Sequence, residues 1–536
     1  MSRIKNSLVL FIALFLLYGV ILLPISTFPM SMDHSIYSQA GAAIAQGKLL
    51  YKEFIDVKSP IWYYYFACIN IVFGSGEFAI RWADIIVTAI LFSWITLRYK
   101  SFLTLTELVC ISVIYLLAYI APGFGVVMQP DSFINPLLML IILSYSKQYQ
   151  TKVDVIERGV LIGFIVGIKL TFAVILPVAL LLELIESKQN RTQQITYTGL
   201  MIMSIVTGLA LSYLPLLNSE IRESYLPVMK FTAQYAAFPP FTIVDFFKST
   251  VKAQTDILTD NYSLPFMFCA LVGFVLALRQ SVGTTWNNIT ARNKVVLIAL
   301  MYALALWCSI IIERKFLPNH FYRIYGMLSI ASGVTVALIL QWVKTLQWNK
   351  NNILISGLVC STVVLFISLS PVSRYVVHVM NFITYHSNQQ KFDTVYERSE
   401  IGYDRVQEKQ IAAYINSHSE PTHKTLVIGN GISQTYIHVH KPVWSYFGEA
   451  HFYHSSYAPP IWVNRYHQEI TMAHWIVVCT NDVYPFLNGH DRTSWQSLQQ
   501  DSAIYPYFTK HFRAVLPLRS MTLYQRIEPD STQHIP

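Results

Sequence analysis

A polytopic α-helical membrane protein of about eleven spans, closed by a C-terminal extracytoplasmic α/β domain, is the fold class this sequence predicts. Three observations predict it. Of 536 residues, 54% are hydrophobic and only 13% are charged, about half the charged share of a soluble domain. The apolar residues are gathered into runs of membrane-spanning length, all before residue 371. Residues 371–536 then change character, becoming mixed and polar with 13 of the 15 histidines. The division falls after Ser370: residues 1–370 form a multi-pass membrane domain and residues 371–536 a separate α/β domain.

This composition excludes a soluble enzyme, a disordered chain and a fibre. It also excludes a nucleic-acid binder, although the net charge is +9. Residues 371–536 carry 13 Lys+Arg against 13 Asp+Glu, which leaves 26 against 17 in residues 1–370. The excess lies in the apolar part, where cationic loops set topology. The six cysteines (Cys68, Cys110, Cys269, Cys308, Cys360 and Cys479) contain no CxxC pair, so neither a disulfide framework nor a zinc site is encoded in the tail.

A helix needs about 20 apolar residues to cross a bilayer. Runs at 8–27, 79–97, 104–122, 197–216, 295–312, 322–341 and 352–370 meet this length, and 132–146 and 264–279 are shorter candidates. The first run is too long, and lacks the small-residue site, for a cleaved signal. Residues 61–74 contain three consecutive tyrosines and are expected to lie at the interface rather than span. Residues 159–182 would bury Lys169 at mid-membrane as a single helix, at about 2.5–3.5 kcal/mol. Two half-length helices meeting at Lys169 free the ammonium for an interface or cavity. With these two assignments, Arg98, Lys147, Arg158, Lys188, Arg279, Lys294 and Lys344 all fall on the cytoplasmic side with the N-terminus. The C-terminal domain then lies outside, at the plasma membrane and most simply a bacterial inner membrane.

The external loops carry the candidate chemistry. The first, near 28–60, opens with Asp33 and continues through Tyr37, Ala40, Gly47, Tyr51, Asp56, Lys58 and Pro60. The next helix is headed by FGSGEFAIRWADI, which contains Arg81. Asp33 is placed either to cap the following helix or to act on a substrate at the membrane surface. The pattern D-x-x-x-Y, then G-x-x-x-Y, then D-x-K-x-P resembles the GT-C glycosyltransferases. Within them it is most similar to the protein O-mannosyltransferase and lipid A aminoarabinose transferase group.

This resemblance implies a polyprenyl-phosphate-sugar donor, an acceptor bound on the external side, and an aspartate general base at the Asp33 position. Many members carry an acidic residue directly after that aspartate. Here it is His34, read as facing water or polarising Asp33, so any divalent metal at the second position is unassigned. Asp131, the only carboxylate of the next external loop, matches the family's second acidic position, and equally stands where a helix cap would. Lys169 resembles the lysine at the tip of a helical hairpin. His320 and Tyr322 stand where members often carry a His-Tyr-like pair. Arg314, Lys315 and His320, with Lys58 and Lys169, are the candidate phosphate ligands. A departing polyprenyl phosphate leaves with negative charge, which cations stabilise as it develops. A hydroxyl acceptor needs a base within hydrogen-bond reach.

The sugar, and whether the acceptor is a glycan, a lipid or a protein, are not encoded legibly. Two other readings stay open. One is a polymerase or ligase of surface polysaccharide with a polyprenyl-diphosphate donor, although such proteins place their large loop between spans. The other is a transporter or flippase of lipid-linked sugar, which calls for repeated halves and charges within spans. In the tail, 405–417 reads as an amphipathic helix, 425–430 and 475–480 as buried strands, and 515–527 as a closing strand or hairpin. His438-Val439-His440 would place two imidazoles on one strand face.

Overall fold

A computed structural model describes residues 2–147, 150–186, 191–237, 264–313, 318–345, 371–385, 388–395, 404–527 and parts of 242–255. The apolar run at 352–370, and with it the span expected there, lies outside the described residues. The chain forms two compact units. One is drawn from residues 1–28, 81–214 and 241–384, the other from 29–80, 215–240 and 385–536.

The first unit is helical. Among the described residues, six helices are long and apolar enough to cross a membrane: Asn6–Thr27, Glu77–Tyr99, Arg191–Ser212, Leu264–Ser281, Ala291–Glu313 and Asn319–Thr345. Leu105–Ile120 and Pro130–Ser144 are shorter apolar helices. The apolar run at 159–182 is broken. One helix runs Lys152–Ile168, Lys169 itself is extended (φ −154°, ψ 115°), a 3₁₀ turn covers Leu170–Ile175, and a second helix runs Leu176–Glu186.

Ion pairs within this unit tie its loops into two sets. Arg98 meets Glu157, Lys147 meets Asp154, Arg292 meets Glu107 and Lys294 meets Glu186. Several of these residues stand near one end of a helix whose other end carries Asp131, Lys169 or Glu313: Lys147 follows Pro130–Ser144, Glu157 lies early in Lys152–Ile168, Glu186 ends Leu176–Glu186, and Arg292 and Lys294 open Ala291–Glu313. These helices thus have one end laced by ion pairs and another where the acidic and basic candidates gather. His378, in the helix Pro371–Tyr385, joins that second end: its ring packs edge-on to Phe28 at 4.8 Å and its Nε2 lies 3.2 Å from the Ala121 carbonyl.

The Lys152–Ile168 helix is held by small residues. Gly159 and Gly167 face Ser204 and Ser212 of the Arg191–Ser212 helix, Gly163 between them faces the Ile205 and Leu209 backbone, and Gly208 in return faces the Val160 backbone. A methyl at Gly163 would stand 2.0 Å from the Ile205 carbonyl oxygen, so the backbones touch, as small-xxx-small faces permit. This contact fixes the helix whose last residue precedes Lys169. Gly163→Leu should cost about 1–3 kcal/mol by forcing the pair apart. Gly199→Ala is the control, since nothing lies within 4 Å of that site. Thermal unfolding in detergent separates the two: equal melting of both variants would mean the close approach is not what holds the helix.

The second unit contains a four-stranded sheet. Its strands are β1 (Thr425–Ile428), β2 (Trp475–Cys479), β3 (Phe512–Pro517) and β4 (Met521–Arg526), in the order β1-β2-β4-β3. β1 and β2 are parallel, with Val427 opposite Val477, and β4 is antiparallel to both its neighbours. The amphipathic helix Arg405–His418 lays Ile411, Ala412 and Ile415 against Val427, Val477 and Leu523. The sheet is thus the predicted α/β arrangement, with the closing segment resolved into a hairpin. His438 and His440 are not on a strand: His438 ends the short helix Gln434–His438, and His440 takes a left-handed backbone, φ 53°.

The same unit holds the loop after the first span. The helices Met32–Ala45 and Pro60–Phe73 cross closely, since a Cβ on Gly41 would stand 2.6 Å from the Phe66 backbone. At 14 residues, the second is about 21 Å long, short of the roughly 30 Å hydrocarbon core. The first is bound into the tail: Ser35 Oγ lies 2.5 Å from Ser433 Oγ, and Gln39 Nε2 donates to the Ser433 carbonyl at 2.8 Å. The Ser219–Ala237 helix also belongs here. Its Phe231 packs on Phe452, Tyr457 and Trp462.

Candidate functional site

Two clusters emerge, one in each unit. In the second unit the D…Y…Y…D-x-K residues of the first loop converge. Asp33 stands in the first turn of the Met32–Ala45 helix and is partly exposed. It is not the cap. Ser31 is, with its side chain accepting the His34 N–H and the His34 Nδ1 accepting the Ser31 N–H at 3.1 Å. The carboxylate of Asp33 is therefore not committed to capping. Of the two readings of His34, the one that faces water fails. The residue is fully buried, and its ring closes this capping box.

Lys58 reaches the Tyr37 ring, with Nζ 5.6 Å from the centroid. Burial opposes its charge, but the Tyr37 hydroxyl and the Asp33 and Asp56 carboxylates outweigh burial and hold the ammonium well above its ordinary range. Asp56 is raised by burial, against the pull of Lys58 and of the Tyr63 hydroxyl. Tyr63 donates to Asp56 Oδ2 at 2.7 Å and accepts the Lys58 N–H at 2.9 Å.

Tyr51 makes the turn that delivers Asp56 and Lys58. Its φ is 65°, a left-handed conformation that costs a non-glycine residue about 1–3 kcal/mol. Three bonds hold it there: its hydroxyl donates to the Lys58 carbonyl (2.7 Å), its N–H to the Phe54 carbonyl (2.7 Å), and its carbonyl accepts the Tyr446 hydroxyl (2.9 Å). Glu77 anchors the approach to Asp33. Its carboxylate accepts the Met30 N–H at 3.1 Å and is clamped by the Arg405 guanidinium.

In the first unit, Asp131, Lys169 and His320 meet two residues that sequence reasoning passed over, Glu313 and Arg323. Lys169 Nζ lies 3.2 Å from Asp131 Oδ2 and 2.8 Å from Glu313 Oε1. Arg323 Nη2 lies 2.5 Å from Asp131 Oδ1 and 2.7 Å from Glu313 Oε2. His320 Nε2 is 3.3 Å from Glu313 Oε1. Asp131 is not a cap either. The cap of the Pro130–Ser144 helix is Gln129, whose N–H donates to Ser132 Oγ at 3.2 Å. Of the group, Lys169 is the more open cation, with 16% of its side chain exposed against none for Arg323.

The remaining candidates are placed as follows. Arg81 is buried in the first unit and donates from Nε to the Phe28 carbonyl at 3.0 Å. Tyr322 stacks on Tyr325 at 4.3 Å, and its carbonyl accepts Asn135 Nδ2 at 2.7 Å. Arg314 and Lys315 lie outside the described residues. Among the described residues no group of three His, Cys, Asp or Glu side chains is arranged to hold a metal ion. Glu313 and Arg323 had a signal in the sequence. One ends an apolar run and the other opens the next, ten residues apart, where a charge inside a span needs a partner.

No family model matches the sequence, and no curated protein does. Among solved structures, the chain is similar to ArnT from Cupriavidus metallidurans in its apo state. That match has 11% identity and a TM-score of 0.57, and covers 98% of each chain. It is also similar to the oligosaccharyltransferase of Archaeoglobus fulgidus, both with zinc and sulfate (10% identity, TM-score 0.47, 96% of this chain and 73% of that one) and tethered to an acceptor peptide (10%, 0.49, 97% and 75%). The first of these matches, end to end, shows that the chain has the GT-C fold with a C-terminal sheet domain.

Proposed function

We propose that this protein is a membrane glycosyltransferase. It takes a sugar from a polyprenyl-phosphate donor and passes it to an acceptor on the extracytoplasmic face. Asp33 is the general base. It removes the acceptor hydroxyl proton as the acceptor oxygen bonds to the anomeric carbon. The bond from that carbon to the phosphate oxygen breaks, and its electron pair leaves with the lipid phosphate. One displacement of this kind inverts the anomeric centre. Lys58 meets the charge that develops on the phosphate oxygen, and Tyr37 and Asp56 hold Lys58 protonated and in place. Within the helical unit, Lys169, Arg314 and Lys315 are separate candidate cations for a lipid phosphate, and His320 is a candidate hydrogen-bond partner. Residues 371–536 form the extracytoplasmic domain, and the loops laced by Arg98–Glu157 and Arg292–Glu107 face the cytoplasm.

One observation carries this reading. A partly exposed carboxylate, free of capping duty, shares an electrostatic network with a lysine held firmly in its charged form. A base and an anion-stabilising cation in one loop are what the displacement requires. The end-to-end likeness to ArnT supports it, since that protein's fold is the one found here.

Lys58→Met tests the cation. It keeps most of the side chain's length and removes the charge. Binding of polyprenyl phosphate, a lipid monophosphate without sugar, to the purified protein in lipid nanodiscs should weaken at least about tenfold, the low end of what a buried charge-assisted contact contributes. Wild-type affinity in a folded Lys58→Met protein would remove Lys58 from the donor site.

A further inference from the structure

The reaction proposed above makes no use of Asp84 and Tyr119, although both are buried and charged or polar. Asp84 lies in the Glu77–Tyr99 helix and Tyr119 near the end of Leu105–Ile120. Both Asp84 oxygens accept from the Tyr119 hydroxyl, each at 2.9 Å, and Thr88 Oγ1 adds a bond of 3.2 Å to Oδ1. With its proton turned to the carboxylate, the Tyr119 oxygen accepts the Met128 N–H at 2.7 Å. A hydroxyl that donates to a carboxylate is the better acceptor for it.

Met128 is the point of interest. It is buried and holds a left-handed backbone, φ 59°, with no glycine to make that easy. Three residues later comes Asp131. Between them, Gln129 caps the helix and Pro130 begins it. One turn back on the same face as Tyr119, Tyr115 stacks on it at 5.8 Å and 15°, and donates to the Ser132 carbonyl at 2.9 Å. Two tyrosines four residues apart thus grip the backbone on either side of Asp131. They belong to neither of its ion pairs.

We infer that Asp84 and Tyr119 are positioning residues for the Asp131 cluster: the hydroxyl fixes Met128 in its left-handed turn, and that turn aims the first turn of the Pro130–Ser144 helix at Lys169 and Arg323. The inference rests on the proposal that Lys169 contacts the donor phosphate. Without the Tyr119 hydroxyl, Met128 relaxes toward a right-handed or extended backbone, and Asp131 shifts away from its two cations.

The test is a rescue, measured as affinity for polyprenyl phosphate in nanodiscs. Tyr119→Phe should weaken binding about tenfold, the scale of releasing one strained non-glycine residue. Adding Met128→Gly should restore much of it, because glycine adopts a positive φ without a steric cost. A lost buried hydroxyl that mattered only to packing would not be mended by a glycine nine residues away. Wild-type binding by Tyr119→Phe, or a double variant no better than the single, overturns the inference. If Tyr119→Phe does not accumulate in the membrane, accumulation of the double variant supports the inference, and failure of both counts against it. Lys169→Met is measured alongside. Loss of binding there with none in Tyr119→Phe defeats the positioning role alone, whereas full binding by Lys169→Met defeats the phosphate contact and the inference with it.

Discussion

Asp33→Asn should abolish sugar transfer while leaving the protein inserted, folded and able to bind polyprenyl phosphate. The substitution is nearly isosteric and removes only charge and basicity. Ser31 and His34 cap the helix, so the cap survives. What structure loses is a carboxylate in the first turn, about 0.3–1 kcal/mol of interaction with the helix dipole. What chemistry loses is larger, since a positioned general base contributes about 10²–10⁴-fold in rate. The two effects differ enough to be separated by one pair of measurements, transfer rate and melting temperature. Donor affinity should hold or rise slightly, because a negative charge beside the phosphate has gone. Transfer at the wild-type rate, with equal protein in the membrane, would eliminate Asp33 as the base.

Arg323→Met should have the opposite signature, with stability falling first. Arg323 is wholly buried and serves both Asp131 and Glu313. Removing one partner of a buried ion pair costs about 3–5 kcal/mol, because the remaining charge is left without compensation. Two carboxylates are left here, with Lys169 alone to balance them. Lys169→Met should be milder, since Lys169 touches water and leaves Arg323 in place for both acids. Arg323→Met combined with Asp131→Asn should recover much of the loss by restoring neutrality. Thermal unfolding of the four proteins in detergent checks the order. Equal melting of Arg323→Met and wild type would show that the cluster does not carry structural charge compensation.

The sequence exposed the local parts of this architecture and hid the distant ones. Asp33, Tyr37, Tyr51, Asp56 and Lys58 lie within 26 residues, and the short loop that carries them can only fold on itself, so their convergence was legible. The break at Lys169 was legible too, because an unpaired ammonium at mid-membrane is costly enough to reshape a helix. Glu313 and Arg323 were missed because a search for apolar runs discards the charges at their ends, and Arg323 finds Asp131 only across 192 residues. The cap alternative for both aspartates fails by two residues. Both aspartates sit inside the first turn, with Ser31 and Gln129 ahead of them, which a preference for Asp at caps does not reveal. The Gly159, Gly163 and Gly167 spacing is present in the sequence but was not read as a packing face until the structure set it against Arg191–Ser212. The Ser219–Ala237 helix was missed too, since its apolar residues are too few to draw attention in a membrane protein. His34 was misplaced for a related reason: a polar ring gives no sign in the sequence that it will turn back onto its own helix cap.

The donor's leaving group is the most direct test of the central claim. Purified protein in lipid vesicles would be given a panel of polyprenyl-phosphate sugars, polyprenyl-diphosphate sugars and nucleotide sugars, with cell-envelope extract as the source of acceptor. The products would be resolved by chromatography. A membrane glycosyltransferase of the kind proposed releases free polyprenyl phosphate in step with sugar transferred, only from the monophosphate series, and not in Asp33→Asn. Release of polyprenyl diphosphate, consumption of a nucleotide sugar, or movement of intact lipid-linked sugar across the bilayer with no bond broken would contradict it.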